Sequence, residues 1–145
     1  MSVWSARVEG VVTLPDGRRV RGRGLGAGPP HGDELPEYGL YLIATPPVDL
    51  AWECHWVCWP DFRLPRSSAD AIAAIEAAYE RAASSKVEIA CDGGTGRTGT
   101  AIAVLARLAG VPGDEAVRWV RANYRPRAVE TPWQRRFAAR VPLSR

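Results

Sequence analysis

The stretch from Lys86 to Thr100, KVEIACDGGTGRTGT, constrains this 145-residue chain more than any other. Its start, KVEIA, has the β-branched and apolar content of a short buried strand. Its end runs into TGTAIAVLARLAG, whose apolar residues recur at helical spacing. A glycine-rich turn must therefore join a strand to a helix. In that turn Cys91 and Arg97 are separated by five residues: Asp92, Gly93, Gly94, Thr95 and Gly96. Backbone N–H groups in such a turn, backed by a helix N-terminus, form a nest for a multiply charged oxyanion. The same field favours a thiolate over a thiol. Arg97 adds a planar fork of donors that grips two oxygens at once.

The remaining chain supplies strands before this turn and helices after it. Trp4 to Val12 alternates as a strand does, and Pro15-Asp16-Gly17 is a turn before a second strand, Arg18 to Arg23. This 4–23 hairpin is expected to cap an open edge or one end of the core, or to take part in substrate recognition. Gly24 to Gly32, with Pro29 and Pro30, reads as a loop. Leu40 to Ile43 is a short apolar strand, and Trp52 to Trp59 another, with Trp52, Cys54, Trp56 and Cys58 on one face. A helix is expected over Ala69 to Ala83, capped by Ser67 or Ser68, with Ile72, Ile75, Tyr79 and Ala82 on its apolar side. The helix after the turn is expected over Gly99 to Leu108, ended by Gly110. A third helix starts at Pro112 and runs out near Asn123 and Tyr124. A last one has Thr131 as N-cap and Pro132 at its first position, and covers about 132–141. Alternating strands and helices predict an α/β fold, a central mixed, partly parallel sheet flanked by helices, in a single domain spanning 1–145.

The string C-D-G-G-T-G-R-T-G-T resembles the signature of the cysteine-dependent protein tyrosine phosphatase superfamily, in the form of its small tyrosine and dual-specificity branches. Two further stretches agree in order. Trp59, Pro60, Asp61 and Phe62, with Pro65 beyond, resemble the mobile general-acid loop. Arg125-Pro126 with Val129-Glu130-Thr131 and Gln134 resembles the segment containing the glutamine loop. The likeness spans roughly residues 39 to 140. It implies a phosphatase domain in which Cys91 attacks phosphorus and forms a phosphocysteine, Arg97 binds the phosphate and Asp61 serves as general acid and then base. It also implies that the Asp61 loop closes over bound phosphate with Trp59 as hinge. Thr98 is expected to donate its hydroxyl toward the cysteine sulfur or to cap the following helix. Glu130 stands where the pattern has a first, water-positioning glutamine and Gln134 matches the second, although Gln134 also reads as an ordinary exposed helix residue.

Departures from the pattern shape the expected substrate. Ala90 replaces a frequent histidine before the cysteine, and Asp92 adds negative charge beside the anion site. With Gly93 and Thr95, Asp92 leaves the variable loop positions without lysine, which argues against polyphosphoinositide headgroups. The resemblance implies phosphotyrosine in proteins or peptides as substrate, with phosphoserine and phosphothreonine left open as dual specificity. Tyr38, Tyr41 and Tyr124 are candidates for a pocket wall or for plain packing. Cys58, on a strand expected beside that of Cys91, is a candidate redox partner for it, with Cys54 as competitor.

Composition excludes several other classes. The net charge of +3 is dispersed without an aromatic-basic stripe, so nucleic acid is not the expected partner. No run of about 18 apolar residues predicts a membrane span, and the N-terminus lacks a signal-peptide pattern. Three cysteines make no disulfide framework, so a reducing cytoplasm is the expectation; a monomer is expected as well. The scheme needs no cofactor, and no metal-ligand spacing is present. The GxxxxGK[ST] pattern of nucleotide-binding loops is missing. A sulfurtransferase or arsenate reductase using Cys91, or a noncatalytic phosphotyrosine-binding module, remains as the alternative; none of these explains Trp59-Pro60-Asp61.

Overall fold

In the computed structural model, which describes residues 2–30 and 32–144, strand Val87–Cys91 (β5) lies at the centre of a five-stranded mixed sheet. The other strands are Val11–Thr13 (β1), Arg19–Gly24 (β2), Tyr38–Ile43 (β3) and Glu53–Cys58 (β4), in the spatial order β1-β2-β5-β3-β4. Only β1 and β2 pair antiparallel; β5 is parallel to β2 and β3, and β3 to β4. Every residue of β5 is buried, as an interior parallel strand requires. The helices are Ser68–Arg81 (α1), Gly96–Leu108 (α2), Ala116–Asn123 (α3) and Pro132–Arg140 (α4). They group around α2, which packs on β5 and β2 while α1, α3 and α4 pack against it. This is the expected α/β architecture, built to carry the β5–α2 turn. Among the described residues no helix is long and apolar enough to cross a membrane.

Local chemistry accounts for the helix limits. Ser67 Oγ accepts from Asp70 N–H at 3.1 Å at the start of α1, and Thr131 with Gln134 closes a reciprocal capping box on α4 behind Pro132. The helix after the turn begins at Gly96, not at Gly99. Gly99 N–H already donates to Thr95 C=O at 2.9 Å, which winds Arg97 and Thr98 into the first turn and removes Thr98 from the cap position. A single 3-10 turn, Gly113–Glu115, separates Pro112 from α3.

The N-terminal hairpin also departs from expectation. Pro15-Asp16-Gly17 does turn the chain, with Leu14 and Arg18 hydrogen-bonded across it, but the first strand is only Val11–Thr13, residues 6–10 form turns and Trp4 lies in irregular chain before them. Trp4 is held instead by burial and by its indole N–H, which donates to Val87 C=O at 2.9 Å. The hairpin covers the edge of β5: β2 pairs along it and β1 becomes the outer strand. In the following loop His31 lies outside the described residues, while Leu25–Ala27 and Gly32–Glu34 form 3-10 turns.

Register places Arg21, Arg23, Glu88 and Tyr41 on one sheet face. There Glu88, fully buried, accepts from Arg21 at 2.5 Å, from Arg23 at 2.6 Å and from the Tyr41 hydroxyl at 2.7 Å. Burial pushes the Glu88 carboxyl up. The hydrogen bonds from Arg23 and Tyr41 and the two guanidinium charges outweigh that and hold it below the usual carboxylate range. Burial and the Glu88 charge push the Tyr41 phenol up, so it stays a donor. One carboxylate thereby ties β5 to both neighbours, three residues before Cys91.

Candidate active site

The β5–α2 turn brings together the residues that its sequence pattern singles out. Cys91 is buried, and its sulfur accepts from Gly94 N–H at 3.1 Å. Gly94 takes φ 75, a conformation that a side chain resists, and this directs the amide to the sulfur. Arg97, 2 % exposed, donates from Nη1 to Trp59 C=O at 2.9 Å and from Nη2 to Asp92 Oδ2 at 3.2 Å. Asp61 Oδ1 lies 3.4 Å from the same Nη2. Arg97 Nε and Thr98 Oγ1 are buried and have no hydrogen-bond partner among the described residues. The bond from Thr98 to sulfur is therefore not formed in this state, and both groups remain free to hydrogen-bond an oxyanion or the sulfur.

Three outward carbonyls explain how the turn keeps its amides inward. Asp92 C=O accepts from Gly26 N–H at 3.0 Å, Gly93 C=O from Arg125 Nη1 at 2.9 Å and Gly94 C=O from the Tyr124 hydroxyl at 2.5 Å. Arg125 Nη1 also reaches Thr95 Oγ1 at 3.0 Å. The β2 end and the C-terminus of α3 thus clamp the turn from outside, using residues that the sequence alone does not single out for this purpose. Of the candidate pocket-wall tyrosines, Tyr124 belongs to this clamp, Tyr41 to the Glu88 cluster, and Tyr38 lies beneath the Arg81 guanidinium at 4.3 Å.

The Trp59-Pro60-Asp61 loop reaches the same place from β4. Trp59 is fully buried, stacked edge-on against Phe137 at 5.4 Å, and its indole N–H donates to Arg63 C=O at 2.7 Å. Asp61 is half exposed and accepts from Phe62 N–H at 2.9 Å, with Phe62 at φ 61. The last helix holds the loop's far side: Trp133 Nε1 donates to Phe62 C=O at 2.5 Å and Gln134 Nε2 to Arg63 C=O at 3.4 Å.

Glu130 arrives from the segment before α4. Arg121 fixes that segment by donating to the Ala128 and Val129 carbonyls, each at 2.8 Å, and Val129 sits at φ 68, strained for a β-branched residue. The Glu130 carboxylate then lies against Gly96, so closely that a side chain at that position would collide with Oε1. Gln134 is fully buried, so the reading of it as an exposed helix residue is corrected. Its Oε1 accepts from Glu130 N–H at 3.0 Å and Thr131 N–H at 3.3 Å. Thr131-x-x-Gln134 is the spacing of a capping box, which is the signal for the bond of Gln134 Oε1 to the Thr131 backbone.

Cys58 is not on a strand adjacent to that of Cys91. β3 lies between β4 and β5, two strand spacings or about 9–10 Å, whereas a disulfide needs Cα atoms within about 7 Å. The Cys58 thiol donates to Ala44 C=O at 3.5 Å instead, and Cys54 is exposed farther down β4. Neither cysteine can link to Cys91 without separating β3. Among the described residues no group of three or more His, Cys, Asp and Glu is arranged to hold a metal ion.

Comparison with known proteins decides the family. The protein-tyrosine phosphatase family model matches residues 44–143, well over half of the chain. The chain belongs to the protein-tyrosine phosphatase family. Among solved structures, this phosphatase is similar to Tk-PTP in its active form, with 27% identity over 85% of this chain and 90% of that one and a TM-score of 0.62. It is likewise similar to a glycine-to-alanine mutant form of Tk-PTP, with 28% identity over 71% and 74% of the two chains and a TM-score of 0.62. A search of curated proteins found no match. The family match begins after the N-terminal hairpin, so the β2 contribution to the clamp lies outside the matched region.

Proposed function

We propose that this phosphatase hydrolyses phosphotyrosine in proteins or peptides through a phosphocysteine on Cys91. The observation that carries the reading is the arrangement of Cys91, its sulfur held by the Gly94 amide, beside the buried Arg97 guanidinium, which Asp61 approaches from a separate loop. In the first step the Cys91 thiolate attacks phosphorus, the P–O bond to the tyrosyl oxygen breaks, and Asp61 protonates the departing phenolate. General acids of this kind contribute about 10²–10⁴-fold. Arg97 and the turn amides hold the three non-bridging oxygens, where charge changes most.

In the second step water attacks the phosphocysteine, gives its proton to the Asp61 carboxylate, and the S–P bond breaks to release phosphate and the thiolate. The Thr98 hydroxyl, buried without a partner, stabilises the leaving sulfur. Glu130 orients the water from beside Gly96, and Gln134 acts through Glu130, whose backbone N–H it binds, and through the Arg63 carbonyl of the acid loop. No step calls for a metal or cofactor, and the domain acts as a single chain in the cytoplasm.

Phosphate release from phosphotyrosine, phosphothreonine and phosphoserine peptides, with Cys91→Ser and Asp61→Ala beside the wild type, tests this. Cys91-dependent release from phosphotyrosine supports it, and the other two peptides rank dual specificity. Phosphopeptide binding without release would favour a binding module, and Cys91-dependent sulfur transfer or arsenate reduction would favour those enzymes.

A further inference from the structure

A cleft of about 250 Å³ opens on the far side of the acid loop, lined by Leu64, Trp133, Phe137 and Val141 with Arg136 and Arg140 at its rim. Trp133 joins this wall to the loop of Asp61, donating to the carbonyl of Phe62, the residue next to Asp61. Leu64 and Trp133, which share this cleft, are 39% and 49% exposed, and Phe62 on the same loop is 52% exposed. Single exposed apolar residues are ordinary, but a contiguous group rimmed by charge marks a binding surface.

The rim has one sign. Neither Arg136 nor Arg140 has a carboxylate partner among the described residues, and Arg63 and Arg66 are exposed on the loop that forms the opposite wall. Asp114 borders a neighbouring groove with both helix arginines but forms no ion pair with either. The surface therefore complements an apolar side chain flanked by carboxylates.

Position says where such a chain begins. Leu64 follows Asp61 by three residues, so their Cα atoms are at most about 11 Å apart. Asp61 in turn touches Arg97. An extended peptide covers that distance in about three residues. We infer that this cleft is a docking subsite for the substrate polypeptide itself, taking a large apolar residue with adjacent acidic residues about three positions from the phosphotyrosine. The inference rests on the phosphatase reading and adds the class of substrate: an acidic, apolar-flanked phosphopeptide rather than a free aryl phosphate.

The test walks a Leu-Glu pair from one to five positions on either side of phosphotyrosine in an otherwise alanine and serine peptide. It measures kcat/KM beside that for 4-nitrophenyl phosphate. Burying one leucine predicts a preference of about tenfold or more at one register near three residues and little at the others. Arg136→Glu with Arg140→Glu, both exposed, removes the preference for Leu-Glu, restores it for Leu-Lys, and leaves 4-nitrophenyl phosphate hydrolysis unchanged. Leu64→Ser lowers the leucine part alone. A flat register profile in the wild type, or charge-reversed variants that keep the Leu-Glu preference, overturns the subsite. Failure of the phosphatase reading looks different, because neither the peptides nor 4-nitrophenyl phosphate would then release phosphate in a Cys91-dependent way. In that event the register preference is read from peptide binding to Cys91→Ser.

Discussion

The Tyr124 hydroxyl donates to the Gly94 carbonyl while the Gly94 amide donates to the Cys91 sulfur, so one peptide unit after another is fixed from opposite sides of the loop. Burial pushes the Tyr124 phenol well up, which keeps the proton it donates. Together with the bonds from Gly26 and Arg125, this bond occupies three successive carbonyls of the loop, which leaves the amides for the anion of the proposed reaction.

Tyr124→Phe keeps the ring and deletes the donor. Leaving a carbonyl without its partner costs about 1–3 kcal/mol, so phosphate and vanadate should inhibit the variant roughly tenfold less tightly. The same cost should lower the melting temperature by several degrees. Equal inhibition constants in variant and wild type would remove Tyr124 from the positioning of the loop.

Asp92 competes for Arg97. Its carboxylate is largely exposed and bonds the same Nη2 that Asp61 approaches, and an exposed ion pair is worth about 0–1 kcal/mol. Asp92→Asn should therefore tighten competitive inhibition by inorganic phosphate by up to about fivefold. Weaker inhibition would show that Asp92 assists the anion.

Gly96 makes room for Glu130. In Gly96→Ala the new methyl displaces the far end of the Glu130 side chain, a flexible group, so the fold survives with a stability loss under about 1 kcal/mol. The proposed second step should slow, seen as a lower kcat with a retained burst of tyrosine release. If the methyl acts only through Glu130, Gly96→Ala with Glu130→Ala should match Glu130→Ala alone. Additive losses would mean that Gly96 has another role.

Glu88 anchors the sheet. Glu88→Gln leaves Arg21 and Arg23 without their carboxylate and should cost about 3–5 kcal/mol, read from denaturant unfolding. Because the folded carboxyl sits below its ordinary range, its contribution is complete above the unfolded value near 4.5. It is lost as pH falls through the lower folded one. The wild type should accordingly lose stability on acidification below about pH 4.5, and the variant should show a flatter acid limb.

The pattern of Cys91, Arg97 and Asp61 is legible in the sequence because the anion chemistry dictates residue types at fixed spacing, and the strand–turn–helix around it follows from composition. The order of strands is not. Nothing in Trp52 to Trp59 says that β3 intervenes before β5, and that is why Cys58 reads as a neighbour of Cys91 when it is two strands away. The buried Glu88 cluster leaves one trace, a single carboxylate within the apolar V-E-I-A-C, but its arginine partners lie 67 and 65 residues away. Trp4 fills the core from an irregular segment, so alternation around it mimics a strand. The clamp on the loop's carbonyls comes from long-range backbone approach, which no local pattern encodes.

Trapping the phosphorylated enzyme tests the central claim most directly. Wild type mixed with a phosphotyrosine peptide, quenched in acid within the first turnovers and digested, should carry one phosphoryl group on the peptide containing Cys91. Glu130→Ala should accumulate more of it, and Cys91→Ser should carry none on that peptide. Phosphate release without any phosphoryl group on the Cys91 peptide in wild type or in Glu130→Ala would contradict the two-step mechanism.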